Sequence, residues 1–290
     1  MTSLHPVGES RAMSTYASVL VALDLGPHVV ARTKLAADIA DRFHGHLIGA
    51  AGRQLLTLAA AVTEAEIVSA GMVDTDRNFS LNSASEELQD VEAVFRQGAG
   101  SFERVSVRTG VKEPGVFLLR QARAADLLVV GRQDRRNPSD WRFAINPGDI
   151  ALQAGRPVLV IPPGADHLSA QQVLVAWKDT REARRAVWDA LPFLRGAKEV
   201  VVCTVGDDAR HASARDVQEH LCRHSVVAEV MGLQRREATV GDELIKAAER
   251  IGADLIVSGG YGHSRMREWV FGGVTCDLLE HAPMCCLMTH

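Results

Sequence analysis

The sequence lacks three features that would each point to a particular class of protein. None of its apolar runs approaches the ~20 residues that a membrane-spanning helix needs. Residues 1–14 lack the basic and apolar regions of a signal peptide, so we expect a disordered tail at 1–15. The formal net charge of -4 over 290 residues gives no reason to expect nucleic-acid binding. The composition is that of an ordinary soluble globular protein, and we expect neither a membrane nor a nucleic-acid partner.

Cysteine is also scarce, and none of the five cysteines forms a Cys-x-x-Cys pair. The sequence therefore indicates neither zinc nor thioredoxin chemistry. All five lie in the second half of the chain: Cys203, Cys222, Cys276, Cys285 and Cys286. Cys285 and Cys286 fall in a predicted strand, where neighbouring residues face opposite ways. We interpret the cysteines as buried free thiols in a reducing cytoplasm.

The chain does contain an internal duplication. Three apolar segments of the first half recur in the second: 18–24 at 172–179, 125–131 at 253–259, and 155–161 loosely at 282–288. Each half thus begins with a strand that ends in aspartate and closes on a proline-led strand. This predicts two domains, 16–161 and 170–290, joined by a linker at 162–169 that contains proline and glycine.

Strands and helices alternate between these segments. In the second half we expect strands at 173–178, 199–205, 226–232, 254–258 and 284–289, and helices at 180–194, 209–224, 240–251 and 273–281. The strands are apolar throughout, as in a parallel sheet that is covered on both faces. The pattern predicts two tandem doubly wound α/β domains.

The first half is longer because of an insertion at 50–100. Two stretches, 55–70 and 84–95, are predicted to be helical, with a bridge rich in Ser, Asn and Asp at 74–83. A helical interaction surface and a plain extension of the scaffold both remain open as interpretations.

Five of the 24 glycines fall in one loop, residues 259–275. The loop follows a predicted buried strand and leads into a short helix. Glycines at such a place expose backbone N–H groups at the positive end of a helix dipole, which suits a phosphate group. No Gly-Lys-Ser/Thr opens the helix, so this is not a Walker loop. The alternative is a flexible connection with ordinary turn glycines.

The spacing Gly259-x2-Gly262-x9-Gly272 resembles the nucleotide loop of the universal stress protein family, Gly-x2-Gly-x9-Gly-Ser/Thr. Gly273 stands where the family's ATP binders carry a hydroxyl residue. The resemblance covers both halves and implies five parallel strands in each domain. It also implies an adenine nucleotide, ATP or another, in the C-terminal half, with Mg²⁺ as a candidate companion ion.

The same resemblance implies which residues contact the nucleotide. Asp179 would reach the adenine or the ribose, although Asp179 to Glu182 also form an acceptable capping box. Thr275 would partly replace the hydroxyl that position 273 lacks. The other contacts fall at two strand ends and in the loop: Cys203, Thr204 and Val205 at the adenine, Ser258 and Gly259 at the ribose, and Gly262, Gly272, Gly273 and Val274 at the phosphates. His263 could meet an outer phosphate oxygen, although a solvated side chain is favoured at that position.

The matching loop of the first half, 131–148, keeps only Gly131 of the pattern. Pro147 has no N–H group and the other glycines are absent, so we expect no backbone cradle for a triphosphate. We interpret Asp24, which precedes a favourable helix start, as structural. Four arginines could bind an anion, but a charged, solvated loop is favoured: Arg132, Arg135, Arg136 and Arg142.

Three functional hypotheses follow. The first is a universal stress protein that binds an adenine nucleotide as a sensor and is not an enzyme. The second is an interaction module of the same fold that binds no nucleotide. The third is a slow ATP hydrolase, which needs a metal and a water-activating group that the sequence does not reveal. The closest metal candidates, His44-Gly-His46 and Cys285-Cys286, are better explained as a turn and a core strand.

The closing strands, 157–161 and 283–288, are apolar, and each would lie at the edge of its own sheet. Exposed apolar edges invite pairing. An eight-residue linker spans at most ~28 Å, so the halves must lie close together. In the resembling family these strands pair between domains. We therefore predict antiparallel contact within this chain, about an approximate two-fold axis, with a homodimer left open.

Overall fold

The computed structural model describes residues 15–55, 70–133, 140–206, 208–234, 237–260 and 273–290, with the backbone alone at 70–80 and 208–210. The first half contains β1 (Ser18–Ala22), α1 (Val29–Arg42), β2 (His46–Gly52), α2 (Ala70–Ala99), β3 (Val105–Gly110), α3 (Pro114–Gln121), β4 (Leu127–Gly131), α4 (Pro147–Gln153) and β5 (Val158–Ile161). The second half contains β6 (Gln172–Ala176), α5 (Arg181–Leu194), β7 (Glu199–Val205), α6 (Asp208–Arg223), β8 (Ala228–Leu233), α7 (Val240–Ile251), β9 (Leu255–Gly259), α8 (Gly273–His281) and β10 (Cys285–Thr289).

All ten strands form one sheet, in the order β3-β2-β1-β4-β5-β10-β9-β6-β7-β8. The halves meet where β5 and β10 run antiparallel, with Leu159 opposite Leu287. The other pairs are parallel, and the strand order is the same in both halves. The prediction of two doubly wound domains with paired closing strands is confirmed.

Helices cover both faces of the sheet because the strands are apolar on both sides. Buried residues of α1, α2, α5 and α6 form the core of one face. Those of α3, α4, α7 and α8 form the core of the other. Cys285 and Cys286 point into different cores, as neighbouring strand residues must.

The cysteine prediction needs a correction. All five are free thiols, and Cys203, Cys285 and Cys286 are buried. Burial raises the pKa of both Cys203 and Cys285 to about 12, so these thiols stay neutral. Cys222, however, is exposed and Cys276 is partly exposed. Both lie on helices, whose outer faces the strand-based argument did not cover.

The predicted bridge at 74–83 is wrong, because α2 is one continuous helix from Ala70 to Ala99. The bridge contains neither glycine nor proline, and its polar residues lower helix propensity only weakly. Leu88, Val91 and Phe95 recur at helical spacing and are buried, which fixes the C-terminal part of the helix on the sheet. Most of the stretch at 55–70 lies outside the described residues.

An aromatic cluster ties the halves together on the α1 and α5 side. The rings of Tyr16, Phe43 and Phe193 lie 5.1 to 5.5 Å apart. The Tyr16 hydroxyl donates to the carbonyl of Asp189 at 2.5 Å. Arg42 donates to the carbonyl of Ser169 at 2.8 Å. The two halves therefore share a packed interface beyond the paired strands.

Candidate functional site

The carboxyl ends of β6, β7 and β9 meet at one edge of the second half. Ala176 on β6 is in register with Cys203 on β7 and with Ser258 on β9. The strand order reverses here, since β7 and β8 continue in one direction and β9 and β10 in the other. In open α/β sheets, ligands bind in the crevice that such a reversal creates. The fold thus brings the strand-end residues of the predicted site together.

Thr204 and Val205 end β7 at this crevice, and both are buried. Among the described residues, nothing accepts from or donates to the Thr204 hydroxyl. A buried hydroxyl without a partner is costly, so this oxygen suits a polar ligand atom. The neighbouring Cys203 is a neutral thiol because its pKa is raised by burial. Cys203 and Val205 belong to one core and alternation turns Thr204 toward the other, so the end of β7 has apolar groups on one face and a hydroxyl on the opposite face.

Ser258 and Gly259 end β9 on the other side of β6. The Ser258 hydroxyl donates to the carbonyl of Gly259 at 3.1 Å. A Cβ on Gly259 would lie 2.5 Å from the backbone nitrogen of Ala183, in the first turn of α5. Glycine is required here because the helix and the strand end touch. Both residues thus have a structural contact besides the ribose contact that the resemblance implies.

Asp179 is exposed just after β6, and Arg184 donates to its carboxylate from Nε at 3.0 Å. The predicted capping box is wrong by one residue. Thr180 is the N-cap of α5, and its hydroxyl accepts from the N–H of Ala183 at 3.3 Å. A cap needs extended backbone geometry just before the helix, which Thr180 has. Asp179 is left at the surface beside the crevice.

The start of α8 carries the last three predicted contacts. Gly273 is exposed, and a Cβ added there would meet no heavy atom of the described residues within 4 Å. Val274 is half-buried and Thr275 is buried. Thr275 therefore lies beneath the first turn, whereas position 273 has room for a larger residue.

The loop that joins β9 to α8 begins at Gly260, which is anchored to β10. Its N–H donates to the carbonyl of Thr289 at 2.8 Å. Its carbonyl lies 3.1 Å from Nδ1 of His290. The predicted contacts Gly262, His263 and Gly272 lie outside the described residues.

In the first half, an arginine lies at the matching strand ends. Arg32 on α1 is buried, and it donates to the carbonyl of Ala22 at 3.0 Å and to Asp24 at 2.8 Å. A Cβ on Gly131 would lie 2.5 Å from Arg32 Nη1. Arg32 lies thirteen residues after Val19, as Ala186 lies thirteen after Val173 in the repeated strand. The second half therefore has a methyl group where the first half has a guanidinium group.

A second arginine follows β2. Arg53 is buried and donates to Glu87 at 2.9 Å, and Arg142 also pairs with Glu87. Arg142 in turn binds Asp140 through backbone and side chain, and this hydrogen bond lowers the pKa of Asp140. By register from the paired strands, Arg53 corresponds to Gly206. In the first half, buried arginines with carboxylate partners therefore lie at the carboxyl ends of both β1 and β2.

The structure places two of the four arginines that were predicted to lie in a solvated first-half loop. Arg142 is in the ion-pair cluster just described, so it is not a solvated side chain. Arg132 donates to the carbonyl of Ala282 in the other half. Arg135 and Arg136 lie outside the described residues. Asp24 has the structural role that the sequence indicated, since it holds Arg32 and the N–H of Gly26.

Neither a membrane-spanning helix nor a metal-binding cluster is present among the described residues. No helix in the described ranges is long and apolar enough to cross a membrane. Within the same residues, no three His, Cys, Asp or Glu side chains converge as metal ligands. His46 instead lies 2.9 Å from the Ser106 hydroxyl.

The sequence matches the profile of the universal stress protein family twice, at residues 15–162 and 170–290. The chain belongs to the universal stress protein family. It does so as a tandem protein, since each half matches the profile separately. A search of curated protein sequences gives no match.

Solved structures share the fold at low sequence identity. A universal stress protein from Archaeoglobus fulgidus DSM 4304 is 16% identical, with a TM-score of 0.65, over 94% of this chain and 98% of that one. A functionally unknown protein from Pseudomonas aeruginosa PAO1 is 15% identical, with a TM-score of 0.56, over 97% and 94% of the two chains. At such identities the likeness shows the fold alone.

The buried arginines at the strand ends in the first half of this tandem universal stress protein, Arg32 and Arg53, were not predicted from the sequence. Arg32 did carry a signal, because it occupies a helix position whose neighbours Val29, Thr33 and Ala36 are all buried. A charge in such a stripe indicates a buried ion pair. Thr289, whose buried hydroxyl has no partner among the described residues, gave no signal in sequence.

Proposed function

We propose that the C-terminal half binds an adenine nucleotide, ATP or another, and that binding acts as a stress-related sensor or switch. One observation carries the proposal. The two arginines that fill the crevice of the first half, Arg32 and Arg53, correspond to Ala186 and Gly206 in the second. A crevice at the strand-order reversal is therefore lined by small and apolar residues in the second half only.

The described residues fit such a ligand. An adenine ring is flat and largely apolar, with polar atoms at its edge. Val205 and the neutral Cys203 offer an apolar wall on one face of β7, and the Thr204 hydroxyl offers one polar atom on the other face. The exposed start of α8 offers backbone N–H groups at a helix N-terminus, which attract phosphate. Each part of the nucleotide thus has a chemically matched neighbour.

We propose binding without turnover. Asp179, the carboxylate at the crevice, is held by Arg184 rather than poised beside a reacting water. The described residues also contain no cluster that would hold a catalytic metal. Mg²⁺ would then accompany the nucleotide only through the phosphates. We also propose that the protein is cytoplasmic, where it would meet the cellular nucleotide pool.

Titration calorimetry with ATP, ADP and AMP tests the proposal, and Thr204→Val sharpens the test. We expect about one nucleotide per chain in the wild type. The valine removes the hydroxyl and keeps the shape, so we expect affinity to fall about fivefold, the typical value of one neutral hydrogen bond. Stability should be maintained, because the hydroxyl makes no bond within the described chain.

Thr33→Val is the matched control. Thr33 is another buried threonine whose hydroxyl has no partner among the described residues, but it lies on α1 in the first half. Its replacement should leave nucleotide affinity unchanged. Absence of nucleotide binding to the wild type would contradict the proposed function. Equal nucleotide affinity of the wild type and Thr204→Val would mean that the Thr204 hydroxyl does not contact the nucleotide.

Gly273 favours a second candidate, an interaction module of the same fold without a nucleotide. The hydroxyl of the family pattern is absent at this position, and Thr275 is buried rather than exposed. This candidate predicts no heat of binding for any adenine nucleotide. Steady ADP release from excess ATP with magnesium would instead support the hydrolase hypothesis.

A further inference from the structure

An open cavity of about 360 Å³ lies beside the start of α5 and is lined by Arg181, Arg185 and His290. Its volume falls in the usual range of small-ligand sites. Arg181 and Arg185 are one helical turn apart, so both guanidinium groups lie on one side of the helix. We call this space the α5 cavity.

Two buried carboxylates hold these arginines. Glu182 accepts from Nε of Arg181, and its side chain is 5% exposed. Asp189 accepts from Nε of Arg185 at 2.9 Å, and its side chain is 8% exposed. A guanidinium group has five N–H donors, so a bond from Nε leaves the terminal amino groups for another acceptor. The carboxylates thus fix the orientation of both groups.

A buried hydroxyl lies on the same side of the sheet. Cys285 and Leu287 on β10 belong to the core that packs under α5, so alternation places Thr289 on that face too. Thr289 is 2% exposed, and its hydroxyl has no partner among the described residues. It is in register with Gly259, which touches the first turn of α5. The hydroxyl therefore lies on the sheet face that α5 covers, one residue before His290, which lines the cavity.

The α5 cavity also adjoins the start of the glycine-rich loop. His290, which lines the cavity, contacts the carbonyl of Gly260 through Nδ1 at 3.1 Å. Positive side chains, a helix N-terminus and a hydroxyl form a set of groups that recognises phosphate. We propose that the α5 cavity is an anion subsite that takes a phosphate group of a polyphosphate ligand, with Arg181 and Arg185 as its two forks.

The proposal rests on the proposed nucleotide site for the rest of the ligand. It adds a prediction about phosphate number, since only a ligand with a phosphate tail would reach the arginines. The wild type should bind ATP more tightly than AMP. The same chemistry would accept free pyrophosphate, which must therefore be tested separately.

The experiment is calorimetric titration of AMP, ADP, ATP and pyrophosphate into the wild type and the double variant Arg181→Gln/Arg185→Gln. We expect the wild type to prefer ATP over AMP by about tenfold, the low end for charge-assisted hydrogen bonds that solvent partly screens. The double variant should lose this preference and keep its AMP affinity. A double variant that retains the preference would overturn the proposal.

Two further variants control the result. Arg223→Gln removes an exposed arginine that pairs with Glu219 one turn away, as Arg185 pairs with Asp189, but it lies on α6. It should change nothing. Arg181→Lys/Arg185→Lys keeps a positive charge beside the buried carboxylates and removes only the forks. If the glutamine variant does not fold, the lysine variant tests the proposal instead. Its ratio of ATP affinity to AMP affinity should be about threefold lower than that of the wild type.

The outcomes separate this proposal from the proposed function. Binding of AMP together with an unchanged ATP preference would keep the nucleotide site and reject the α5 cavity as a subsite. Failure of all three nucleotides to bind would reject the nucleotide site. The pyrophosphate titration then decides: binding that the double variant weakens supports the cavity as an anion site, and absence of binding rejects it.

Discussion

The two halves have the same strand order and differ at the carboxyl edge of the sheet. In the first half this edge is filled by the chain itself, through Arg32 with Asp24 and through Arg53 with Glu87. In the second half, alanine and glycine stand at the positions of the two arginines. The apolar pattern that specifies the sheet is therefore shared by both copies, while the residues at these two positions are charged in the first half and small in the second.

This difference shows that a buried arginine at a strand end needs partner groups around it. A buried guanidinium group is tolerated only with a matching carboxylate and carbonyl groups. Arg32 has Asp24 and the Ala22 carbonyl, and its side chain is 7% exposed. The first half thus has a structural ion-pair network at this edge of the sheet. Among the described residues of the second half, the ion pair at this edge, Asp179 with Arg184, lies at the surface.

The largest expected effect comes from removing the carboxylate in each half. Asp24→Ala leaves the Arg32 guanidinium buried without its partner, so we expect a loss of about 3 kcal/mol in the free energy of unfolding. Asp179→Ala breaks the exposed pair with Arg184 and should cost less than about 0.5 kcal/mol. Denaturant titration of both variants measures the difference. Similar losses in the two halves would refute the view that only the first site is built into the core.

The elements of the second half were predictable because each one is encoded locally. All nine predicted strands and helices are present there, with bounds within two residues, since apolar runs and helical periodicity are features of short segments. The continuous α2 was missed because the Ser, Asn and Asp residues at 74–83 suggested a break, although they lower helix propensity only weakly.

The site was less predictable, because its properties depend on residues far apart in sequence. Arg32 fills the first crevice only because the fold places it beside Gly131, ninety-nine positions later. Whether the Thr204 hydroxyl finds a hydrogen-bond partner likewise depends on its surroundings in the fold, and it has none among the described residues. Glycine spacing indicated the phosphate loop but gave no information about which strand ends stay accessible. The nucleotide contacts remain predictions.

An intermediate effect is expected at Gly273, where the second half departs from the family pattern. Gly273→Ser restores the hydroxyl, and the described residues leave room for its Cβ. We expect nucleotide affinity to rise about threefold to tenfold, the value of one hydrogen bond to a charged acceptor. Gly273→Ala is the matched control, because it adds the Cβ and lowers backbone freedom without adding the hydroxyl. Calorimetry that finds equal gains for serine and alanine would mean that the hydroxyl does not reach a phosphate.

The smallest expected effect concerns the loop of the first half, which is held by Asp140 and Arg142 instead of a ligand. Hydrogen bonds from Arg142 lower the pKa of Asp140 from its ordinary value of 3.8. A carboxyl group with a lowered folded-state pKa stabilises the protein above its unfolded-state pKa, and this contribution disappears as the pH falls through the folded-state pKa.

Asp140→Asn should therefore cost about 0.5 kcal/mol at pH 7, an amount reduced by partial solvent screening, and the cost should shrink toward zero below pH 3.8. Unfolding free energies of the wild type and the variant at pH 7, 5 and 3 measure this. Asp179→Asn in the second half, where the carboxylate is exposed, should show a smaller difference at every pH. A cost at Asp140 that is constant with pH would mean that the asparagine disturbs packing, so that the first-half loop is not held by its charges.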